Sequence, residues 1–378
     1  MKIMFAGGGT GGHFYPIVAI VNALDLIVKE RRLIRPELFY MAPTPYNQRI
    51  LFENEVTYVP VSAGKLRRYF SLLNLTDAFK TAAGCIKALF KLYAIYPDVV
   101  FGKGGYGSVP ALFAAKFLNI PVVIHESDSH PGKVNLWASG FAQKIALSYP
   151  AAAQYFKPKV QDRIAVTGNP IRAEIAKPLL NGAHEFLKLD ENVPVIFVIG
   201  GSQGSANMND AVLDALPELL NRYQVIHQTG RANFEEMTAT SAIILKDHPY
   251  AKRYRPFDYL NELALRMAAG VADIVVSRAG STIFEIAAWG VPSIIVPLPT
   301  SISHDQTENA FAYAATGAAS VIEDANLHGH ILLSEIDRIY SSPAIKETMK
   351  EKARAFARLD AAHTIAGAIL DIAVSHEK

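Results

Sequence analysis

Cysteine is almost missing from this sequence, since Cys85 is the only one in 378 residues. A single cysteine excludes a disulfide within the chain and a zinc site built from several thiolates. The composition therefore fits a protein kept in a reducing compartment.

An excess of charge of one sign is also missing. Lysine and arginine number 37, aspartate and glutamate number 35, and the net charge is +2. Nucleic-acid-binding proteins usually carry a clear excess of basic residues. We therefore predict that no nucleic acid is a partner.

Long hydrophobic helices that could cross a membrane are not apparent either. The longest run without charge, residues 286–303, contains Pro292, Pro297 and Pro299, which would break a helix. We interpret this run as the end of a helix, a turn and a buried strand. The first residues lack the apolar stretch of a signal peptide, so we expect no export.

What the sequence does contain is a strand, loop and helix pattern that is used twice. Apolar runs at Lys2–Ala6 and Val193–Ile199 end in glycine-rich turns, Gly7–Gly12 and Gly200–Gly204, and a helix-compatible stretch follows each. The alternation of apolar runs with helix-length segments predicts an α/β protein with a parallel sheet in each half. The further apolar runs are Leu38–Met41, Asp98–Phe101, Pro121–Ile124, Gln224–His227, Ile274–Ser277 and Ser293–Pro297.

The length of the chain favours two domains, because a single hydrophobic core rarely grows to 378 residues. Gly168-Asn169-Pro170 and Pro178 interrupt regular structure before the second glycine-rich unit. We predict an N-terminal domain over residues 1–168 and a C-terminal domain over 169–343. The helical stretch 344–378 could pack on either of them.

The first glycine-rich loop matches the dinucleotide fingerprint G-x-G-x-x-G through Gly7, Gly9 and Gly12. That fingerprint also needs an acidic residue at the end of the second strand, but the strand runs into Ala42. A nicotinamide cofactor is therefore disfavoured. Five glycines in six residues exceed what a tight turn needs, so we interpret the segment as a binding loop with His13 at the start of the next helix.

The second half offers two related segments. Ser202, in the loop Gly200–Gly204, can donate from its N–H and its hydroxyl to a phosphate at a helix N-terminus. Thr282 and Glu285 have the spacing of a helix capping box, so Glu285 either turns back to the helix start or accepts hydrogen bonds from ribose hydroxyls. The residues alone leave these two interpretations equal.

Four titratable side chains gather in the segment from His125 through Glu126 and Asp128 to His130, directly after the apolar run Pro121–Ile124. The H-E-x-x-H zinc motif needs its second histidine four residues after the first, whereas His130 follows by five. We therefore predict no metal site. A place at the carboxyl end of a parallel strand favours an acid–base or hydrogen-bonding role.

The segment Lys65–Tyr96 combines basic and apolar residues, some of them at helical spacing. Most such stripes belong to a hydrophobic core, although basic residues beside an aromatic stretch also suit contact with anionic lipid. The residues alone favour the core. The side chains in question are Lys65, Arg67, Arg68, Tyr69, Phe70, Leu72, Leu73, Leu75, Ile86, Leu89, Phe90 and Tyr93.

Taken together, these segments resemble the MurG family of bacterial cell-wall glycosyltransferases, in order and over nearly the whole chain. The resemblance rests on Gly8–His13, Gly104-Gly105-Tyr106, His125-Glu126, Gly168-Asn169-Pro170-Ile171-Arg172, Gly200–Gly204, Arg278-Ala279-Gly280, Glu285-Ile286-Ala287, Asp305-Gln306 and Asn309-Ala310.

The resemblance implies the glycosyltransferase B fold, in which two Rossmann-like parallel-sheet domains face each other across a cleft and the helices of 344–378 cross back to the N-terminal domain. It implies an inverting hexosyltransferase of peptidoglycan synthesis, cell shape and cell division, which moves N-acetylglucosamine from UDP-N-acetylglucosamine to the C4 hydroxyl of an undecaprenyl-linked muramyl peptide. It implies no cofactor and no metal. The expected partners are the two substrates, the cytoplasmic face of the cell membrane as a peripheral surface, and other cell-wall enzymes.

The same resemblance assigns positions to the site. Donor binding is implied for Thr10, Gly11, Gly12, Asn135, Arg172, Ser202, Gln203, Phe257, Gly280, Ser281, Glu285 and Gln306. Acceptor binding is implied for Gly9, Gly104, Gly105, Tyr106 and His125. The catalytic candidates are His13, Glu126 and Asp128, with His13 preferred as the base because the ordinary pKa of histidine lies near operating pH.

Two departures from the family pattern concern these positions. Similar sequences commonly have Gln-Asn where this chain has Ser127-Asp128, and the segment between Gly280 and Glu285 is one residue shorter here. Three other functions share part of the pattern: a lipid glycosyltransferase that acts on diacylglycerol, a UDP-sugar epimerase, and an inactive nucleotide-sugar-binding scaffold. The order of the motifs in the N-terminal half favours the muramyl acceptor.

Overall fold

Two compact units make up the chain, Met1–Arg172 with Arg358–Lys378 and Ala173–Ala357. The structure, a computed structural model, describes residues 1–64, 73–201, 204–299 and 304–377. Each unit contains one parallel sheet with helices packed on it. The predicted class, α/β with two Rossmann-like domains, is confirmed.

The described residues form thirteen strands and fourteen α-helices. The strands are β1 Lys2–Ala6, β2 Glu37–Ala42, β3 Val56–Pro60, β4 Val99–Gly102, β5 Val122–Glu126, β6 Lys144–Leu147, β7 Ile164–Val166, β8 Val195–Ile199, β9 Gln224–Gln228, β10 Tyr254–Phe257, β11 Ile274–Arg278, β12 Ser293–Val296 and β13 Ala319–Val321. The helices are α1 Gly11–Glu30, α2 Gln48–Glu53, α3 Leu73–Ile95, α4 Val109–Phe117, α5 Lys133–Ala138, α6 Ala183–Leu187, α7 Ala206–Leu219, α8 Phe234–Ile244, α9 Glu262–Val271, α10 Thr282–Trp289, α11 His304–Ala314, α12 Gly329–Tyr340, α13 Pro343–Phe356 and α14 Ala361–Glu377.

Every apolar run singled out in the sequence is a strand, with ends that differ by at most two residues. These strands lie inside the sheets, where both faces are buried, so that their residues read as continuous apolar runs. The strands that were not foreseen are β3, β6, β7, β10 and β13, which lie at or next to a sheet edge. Edge strands bury less of each residue, as in β7, where two of three residues are exposed, and so their sequence carries a weaker signal.

The strand order decides where ligands can bind. It is β3-β2-β1-β4-β5-β6-β7 in the first sheet and β10-β9-β8-β11-β12-β13 in the second. In both sheets the order reverses beside the strand that precedes a glycine-rich loop, β1 or β8. Loops on either side of such a reversal run in opposite directions and leave a crevice at the carboxyl ends of the strands. Both glycine-rich loops therefore emerge where α/β proteins bind ligands.

Helix α1 fills the centre of the first unit, with side chains such as Phe14, Ile17 and Ile20 buried in one cluster with residues of the sheet and of α14. Within the described ranges it is also the one helix long and apolar enough to cross a membrane. Because 61% of its apolar window is buried in the protein, its composition is that of a core helix and is weak evidence for a span.

The C-terminal helices divide between the two units, which differs from the predicted domain bounds. Helix α13 packs on the second unit, where Met349 is buried and the Phe356 ring lies 5.7 Å from the Phe284 ring, centroid to centroid. Only α14 packs on the first unit, which extends to Arg172 and is rejoined at Arg358. Both helices have an apolar stripe, and only the shape of the surface that each one meets separates them.

We expect Leu370→Ala to lower the free energy of unfolding by about 2–5 kcal/mol, because it leaves a cavity in the cluster that joins α14 to α1. Leu370 is fully buried there. The measurement is urea denaturation. The matched control is Leu26→Ala on α1, where 54% of the side chain is exposed and the change should stay below about 0.5 kcal/mol. Equal effects of the two variants would contradict this packing.

Candidate functional site

Three segments meet at the carboxyl edge of the first sheet. The loop Gly7–Gly12 follows β1, Lys103–Tyr106 follows β4, and the loop with Asp128 follows β5. The first two touch, since a Cβ atom placed on Gly7 would lie 3.4 Å from Cβ of Lys103. The fold thus brings the predicted catalytic and acceptor positions of the first unit to one edge.

Glycine is required where the first two segments touch. Gly9 has a φ of 94°, and a Cβ there would lie 3.0 Å from Cε1 of Tyr106. Gly105 has a φ of 74°, and a Cβ there would lie 3.1 Å from Cε1 of His13. Any other residue would be strained in this left-handed region and would displace an aromatic ring. The rings of Tyr106 and His13 therefore pack directly against glycine backbone.

His13 lies in the first turn of α1, half-buried. Its Nδ1 is 3.0 Å from Oγ1 of Thr10. Burial, and secondarily the positive charge of Lys103, lowers the pKa of His13 to about 4. The imidazole is therefore neutral at physiological pH, and one of its nitrogens can accept a proton.

Glu126 ends β5 and is only 3% exposed. Its Oε1 accepts a hydrogen bond from the Asp128 N–H at 2.9 Å, and its Oε2 accepts from the Gly132 N–H and from Nδ2 of Asn135, both at 2.9 Å. The same Asn135 amide donates to the His125 carbonyl at 3.0 Å. This network fixes the loop between β5 and α5 and buries the predicted donor position Asn135.

Two carboxyl groups lie close together in this loop. Burial raises the pKa of Glu126 to about 7, repulsion by the Asp128 carboxylate adds to the rise, and the three hydrogen bonds oppose it. Asp128 is half-buried and so more accessible than Glu126. A carboxyl group that titrates near neutrality beside a second carboxylate is typical of acid–base sites.

His125 is completely buried, although the family resemblance implies acceptor binding there. Its Nε2 lies 3.0 Å from the Gly168 carbonyl oxygen and 3.2 Å from Oγ of Ser148. Burial, and secondarily the charge of Lys103, holds its pKa well below the usual range. Side chains alternate between the faces of a strand, so His125 and Glu126 cannot face the same side. His125 therefore packs in the interior, below the carboxyl ends of the strands.

Lys103 was not foreseen. It follows β4 directly, is 1% exposed, and its Nζ has no hydrogen-bond partner within the described part of the chain. Burial lowers its pKa to about 8, against the attraction of Glu126 and Asp128. No local pattern in the sequence marks this lysine, because its burial depends on segments that are distant in the chain.

Four of the five predicted donor positions of the first unit, Thr10, Gly11, Gly12 and Arg172, lie around the start of α1, whereas Asn135 lies in the Glu126 network. Thr10 is the N-cap residue, and Gly11 and Gly12 begin the helix, where N–H groups lack partners within the helix. The Arg172 guanidinium lies over the Tyr15 ring of the same helix, 4.5 Å from its centre. The contact is a cation–π interaction that places Arg172 beside α1.

A second cluster lies at the carboxyl edge of the second sheet. Gly204 has a φ of 74°, and a Cβ there would lie 2.2 Å from the Thr229 carbonyl oxygen, so the loop after β8 packs tightly on the loop after β9. Nε2 of Gln228 donates to the Gly201 carbonyl at 3.2 Å. Ser202 and Gln203, the predicted donor positions of this loop, lie outside the described residues.

Arg278, the last residue of β11, ties this loop to its neighbours. Its Nε donates to Oγ of Ser205, the N-cap residue of α7, at 2.9 Å. Its Nη1 donates to the Pro297 carbonyl at 3.1 Å and to the Asp324 carboxylate. Hydrogen bonds thus compensate a guanidinium that is 8% exposed, and they hold the N-terminus of α7 in place.

Helix α10 begins at Thr282, with Ser281 as its N-cap residue and no hydrogen bond from the Ser281 side chain. The capping-box interpretation needs Thr282 at the N-cap, so the structure disagrees with it. Glu285 is half-buried in the first turn. The helix ends at Trp289, and Gly290 follows with a φ of 65°, as its position in the sequence predicts.

The other predicted donor positions of this unit lie at the same edge. Nε2 of Gln306 would lie 3.9 Å from a Cβ placed on Gly280, and its Oε1 accepts from the Leu298 N–H at 3.2 Å. Phe257 ends β10 and is half-buried. The fold therefore gathers Gly280, Ser281, Glu285 and Gln306 after the neighbouring strands β11 and β12, with Phe257 on the far side of β8 and β9.

No group of three or more His, Cys, Asp or Glu side chains in the described ranges could hold a metal ion. The expectation that this site needs no metal and no cofactor stays a prediction.

Both units match models of known families. Residues 3–147 match the glycosyltransferase family 28 N-terminal domain, and residues 195–365 match the glycosyltransferase family 28 C-terminal domain. A relative from Treponema denticola is 36% identical over 335 residues, which are 85% of this chain and 83% of the relative. It is named UDP-N-acetylglucosamine–N-acetylmuramyl-(pentapeptide) pyrophosphoryl-undecaprenol N-acetylglucosamine transferase.

Solved structures share the fold. A crystal structure of MurG from Acinetobacter baumannii has a TM-score of 0.71 and 23% identity, covering 98% of this chain and 99% of that one. A UDP-N-acetylglucosamine 2-epimerase from Neisseria meningitidis, bound to UDP-N-acetylglucosamine, has a TM-score of 0.68 and 15% identity over 98% and 100%. At such identities the likeness establishes the fold alone.

We expect His13 to titrate near pH 4, because burial and Lys103 disfavour its imidazolium form. This pKa lies below the 6.5 of an ordinary histidine, so the unfolded chain binds the proton more tightly and stability falls as the pH drops from about 6.5 towards 4. The measurement is NMR of the ring nitrogens, with the His13→Ala variant to assign the signal. A midpoint near 6.5 would mean that neither desolvation nor Lys103 lowers the pKa of His13.

Proposed function

This chain belongs to glycosyltransferase family 28 and, within it, to the MurG family, and on this basis we propose that it transfers N-acetylglucosamine from UDP-N-acetylglucosamine to a muramyl peptide on a pyrophosphoryl-undecaprenol carrier. The observation that carries the proposal is that 36% identity to a transferase of that name extends over both units. The enzyme is a hexosyltransferase of peptidoglycan synthesis.

The reaction is a single displacement with inversion. A base takes the proton of the acceptor C4 hydroxyl while the hydroxyl oxygen bonds to the anomeric carbon of the donor sugar. The bond from that carbon to the UDP oxygen breaks on the opposite side, and UDP leaves with its electron pair. The step needs a positioned base and stabilisation of the leaving charge.

We assign the base to His13. The reason given by the sequence does not hold, because the pKa of His13 is lowered from its ordinary value to about 4. The assignment rests instead on a ring that is neutral at physiological pH, is partly accessible, and is held in orientation by Thr10 and Gly105. Glu126 titrates nearer neutrality, but three hydrogen bonds engage its oxygens and it is 3% exposed. Glu126 therefore shapes the site, and Asp128 is the more accessible carboxylate.

The charge that develops on UDP is stabilised by backbone groups. The N-termini of α7 and α10 and the N–H groups of Gly200–Gly204 carry partial positive charge suited to a pyrophosphate. The Glu285 carboxylate accepts hydrogen bonds from the ribose hydroxyls. Phe257 lies beside the uracil ring. Arg172, Ser202 and Gln306 complete the donor set. These groups make a metal ion unnecessary, which is part of the proposal.

Attachment to a membrane surface is the part of the proposal that rests on helix α3. Phe79, Ile86, Phe90 and Tyr93 share one face of this helix and are 71%, 60%, 70% and 70% exposed, whereas Leu92 on the other face is fully buried. The interpretation of this stripe as core is therefore wrong for Ile86, Phe90 and Tyr93. We name these four exposed residues the α3 stripe.

Basic residues accompany the α3 stripe. Lys80, Lys87 and Lys91 are exposed and form a row about 100° around the helix from it. An apolar surface beside lysines suits anionic lipid, where each lysine contributes about 1 kcal/mol. We assign the stripe to peripheral contact with the cytoplasmic face of the membrane, which also carries the acceptor and other cell-wall enzymes. Lys65, Arg67 and Arg68 lie outside the described residues.

The purified protein should move labelled N-acetylglucosamine from its UDP carrier to the lipid-linked muramyl pentapeptide in the presence of EDTA. Loss of the base in His13→Ala should lower kcat by about 100-fold to 10,000-fold. His330→Ala, at an exposed site on α12, is the matched control and should keep the activity. Near-normal turnover by His13→Ala would move the base elsewhere.

The same assay separates the rival functions. Product on diacylglycerol alone would favour the other lipid glycosyltransferase. A changed sugar after incubation with UDP-N-acetylglucosamine alone would favour an epimerase. UDP binding with neither product would favour a scaffold, and activity abolished by EDTA would overturn metal independence.

Replacing Phe79 and Phe90 together by serine should weaken binding to vesicles of anionic phospholipid by about tenfold or more, because each aromatic side chain loses apolar surface that the lipid would bury. The measurement is co-sedimentation at low and high salt. Phe52→Ser, at an 83% exposed site on α2, is the matched control. If all three proteins bind equally, the α3 stripe does not face the lipid.

A further inference from the structure

Lys103 lies at the carboxyl ends of the strands of the first sheet, between the glycine loop Gly7–Gly12 and the hydrogen-bond network around Glu126. Its N–H donates to the Ala6 carbonyl at 2.9 Å, and its Cβ is 3.4 Å from where a Cβ on Gly7 would be. A Cβ on Gly104, the next residue, would lie 2.7 Å from Nδ2 of Asn135, which holds Glu126. The Lys103 backbone is therefore enclosed by the glycine loop and by the network around Glu126.

The charge of this lysine is buried without a direct partner. Lys103 is 1% exposed, and its Nζ has no hydrogen-bond partner in the described part of the chain. Removing an ammonium from water costs several kcal/mol unless other charges or hydrogen bonds compensate. Here the compensation comes from Glu126 and Asp128 without a hydrogen bond. An arrangement this expensive points to a role beyond packing.

We propose that Lys103 is a positioning residue for the transfer reaction, whose buried ammonium, enclosed between the glycine loop and the Glu126 network, favours the unprotonated forms of His13 and Glu126. This inference rests on the proposed function. A positive charge lowers the proton affinity of every group near it, so the effect has one sign whether His13 or Glu126 takes the acceptor's proton. Asp128 adds a second negative charge beside Glu126, and the charge of Lys103 balances it.

The charged and titratable groups that interact with Lys103 come from α1, β5 and the loop after β5. His13 belongs to α1, His125 and Glu126 belong to β5, and Asp128 follows β5. The pKa of Lys103 is lowered to about 8, so its charge is present at pH 7 and is lost above pH 8. Removing that charge raises the pKa of His13 and of His125, and it removes the attraction that favours the ionised form of Glu126. The acidic limb of the activity profile must therefore move to higher pH.

The test compares Lys103→Met, Lys103→Arg and Lys144→Met in the transfer assay. Lys144 is exposed at the amino end of β6, on the opposite edge of the same sheet, so Lys144→Met removes the same charge far from the site. We expect the acidic limb of kcat/KM to rise by about one pH unit or more in Lys103→Met. We expect the acidic limb to stay at the wild-type pH in Lys103→Arg and Lys144→Met. At pH values above its limb, Lys103→Met should have a kcat close to that of the wild type.

A second readout does not depend on turnover. The NMR titration of His13 should move from about pH 4 towards higher pH in Lys103→Met and stay in place in Lys144→Met. If the wild type transfers no sugar while His13 still shifts, the proposed function fails and the charge effect of Lys103 stands. If the wild type is active and neither the limb nor His13 moves, the inference fails alone.

Two further results would overturn the inference. A raised KM for the lipid acceptor with an unmoved limb would mean that Lys103 contacts the substrate. Equal loss of activity in Lys103→Met and Lys103→Arg at every pH, with lowered melting temperatures, would mean that the lysine only packs. If Lys103 only packed, Lys103→Arg would not be expected to keep the acidic limb of kcat/KM at its wild-type pH while Lys103→Met shifts it.

Discussion

Parallel pairing of β1 with both β2 and β4 is the constraint on which the rest of the first unit depends. Because neighbouring strands point the same way, their carboxyl ends share one edge, and the reversal of order beside β1 opens that edge. Gly7–Gly12 and Lys103–Tyr106 leave the sheet there and can meet only through glycine backbone. The orientation of His13 is a consequence of that contact.

Burial then decides the chemistry of this edge. His13 and His125 lose affinity for protons, Glu126 gains it, and Lys103 loses it, all chiefly because their charged forms are desolvated. The pKa values of Glu126 and Lys103 are thereby brought to about 7 and about 8, near physiological pH, whereas both histidines are held in their neutral form. Mutual attraction between Lys103 and the two carboxylates lowers the desolvation penalty of burying these charges, which would be larger for either sign of charge alone.

The two units solve a shared problem differently. In each, a buried basic residue ends or follows the strand across the reversal from the glycine loop, Lys103 after β4 and Arg278 in β11. The Arg278 guanidinium has several N–H donors. It donates hydrogen bonds to Ser205, Pro297 and Asp324, which hold a helix N-terminus in place. The ammonium of Lys103 is a point charge and makes no such bonds in the described residues, so its influence is electrostatic.

The sequence by itself determined the α/β class, the two-domain plan, the central strands and the place of both glycine loops, because apolar runs and glycine turns are local signals. Tertiary structure alone decided which members of the clusters are accessible. His125 and Glu126 are adjacent in sequence, yet only contacts from Gly168, Asn135 and Gly132 settle their burial. It also decided that the α3 stripe is exposed, that α13 and α14 pack on different units, and that Lys103 is enclosed. Each of these depends on the surface supplied by distant residues, which no local pattern encodes.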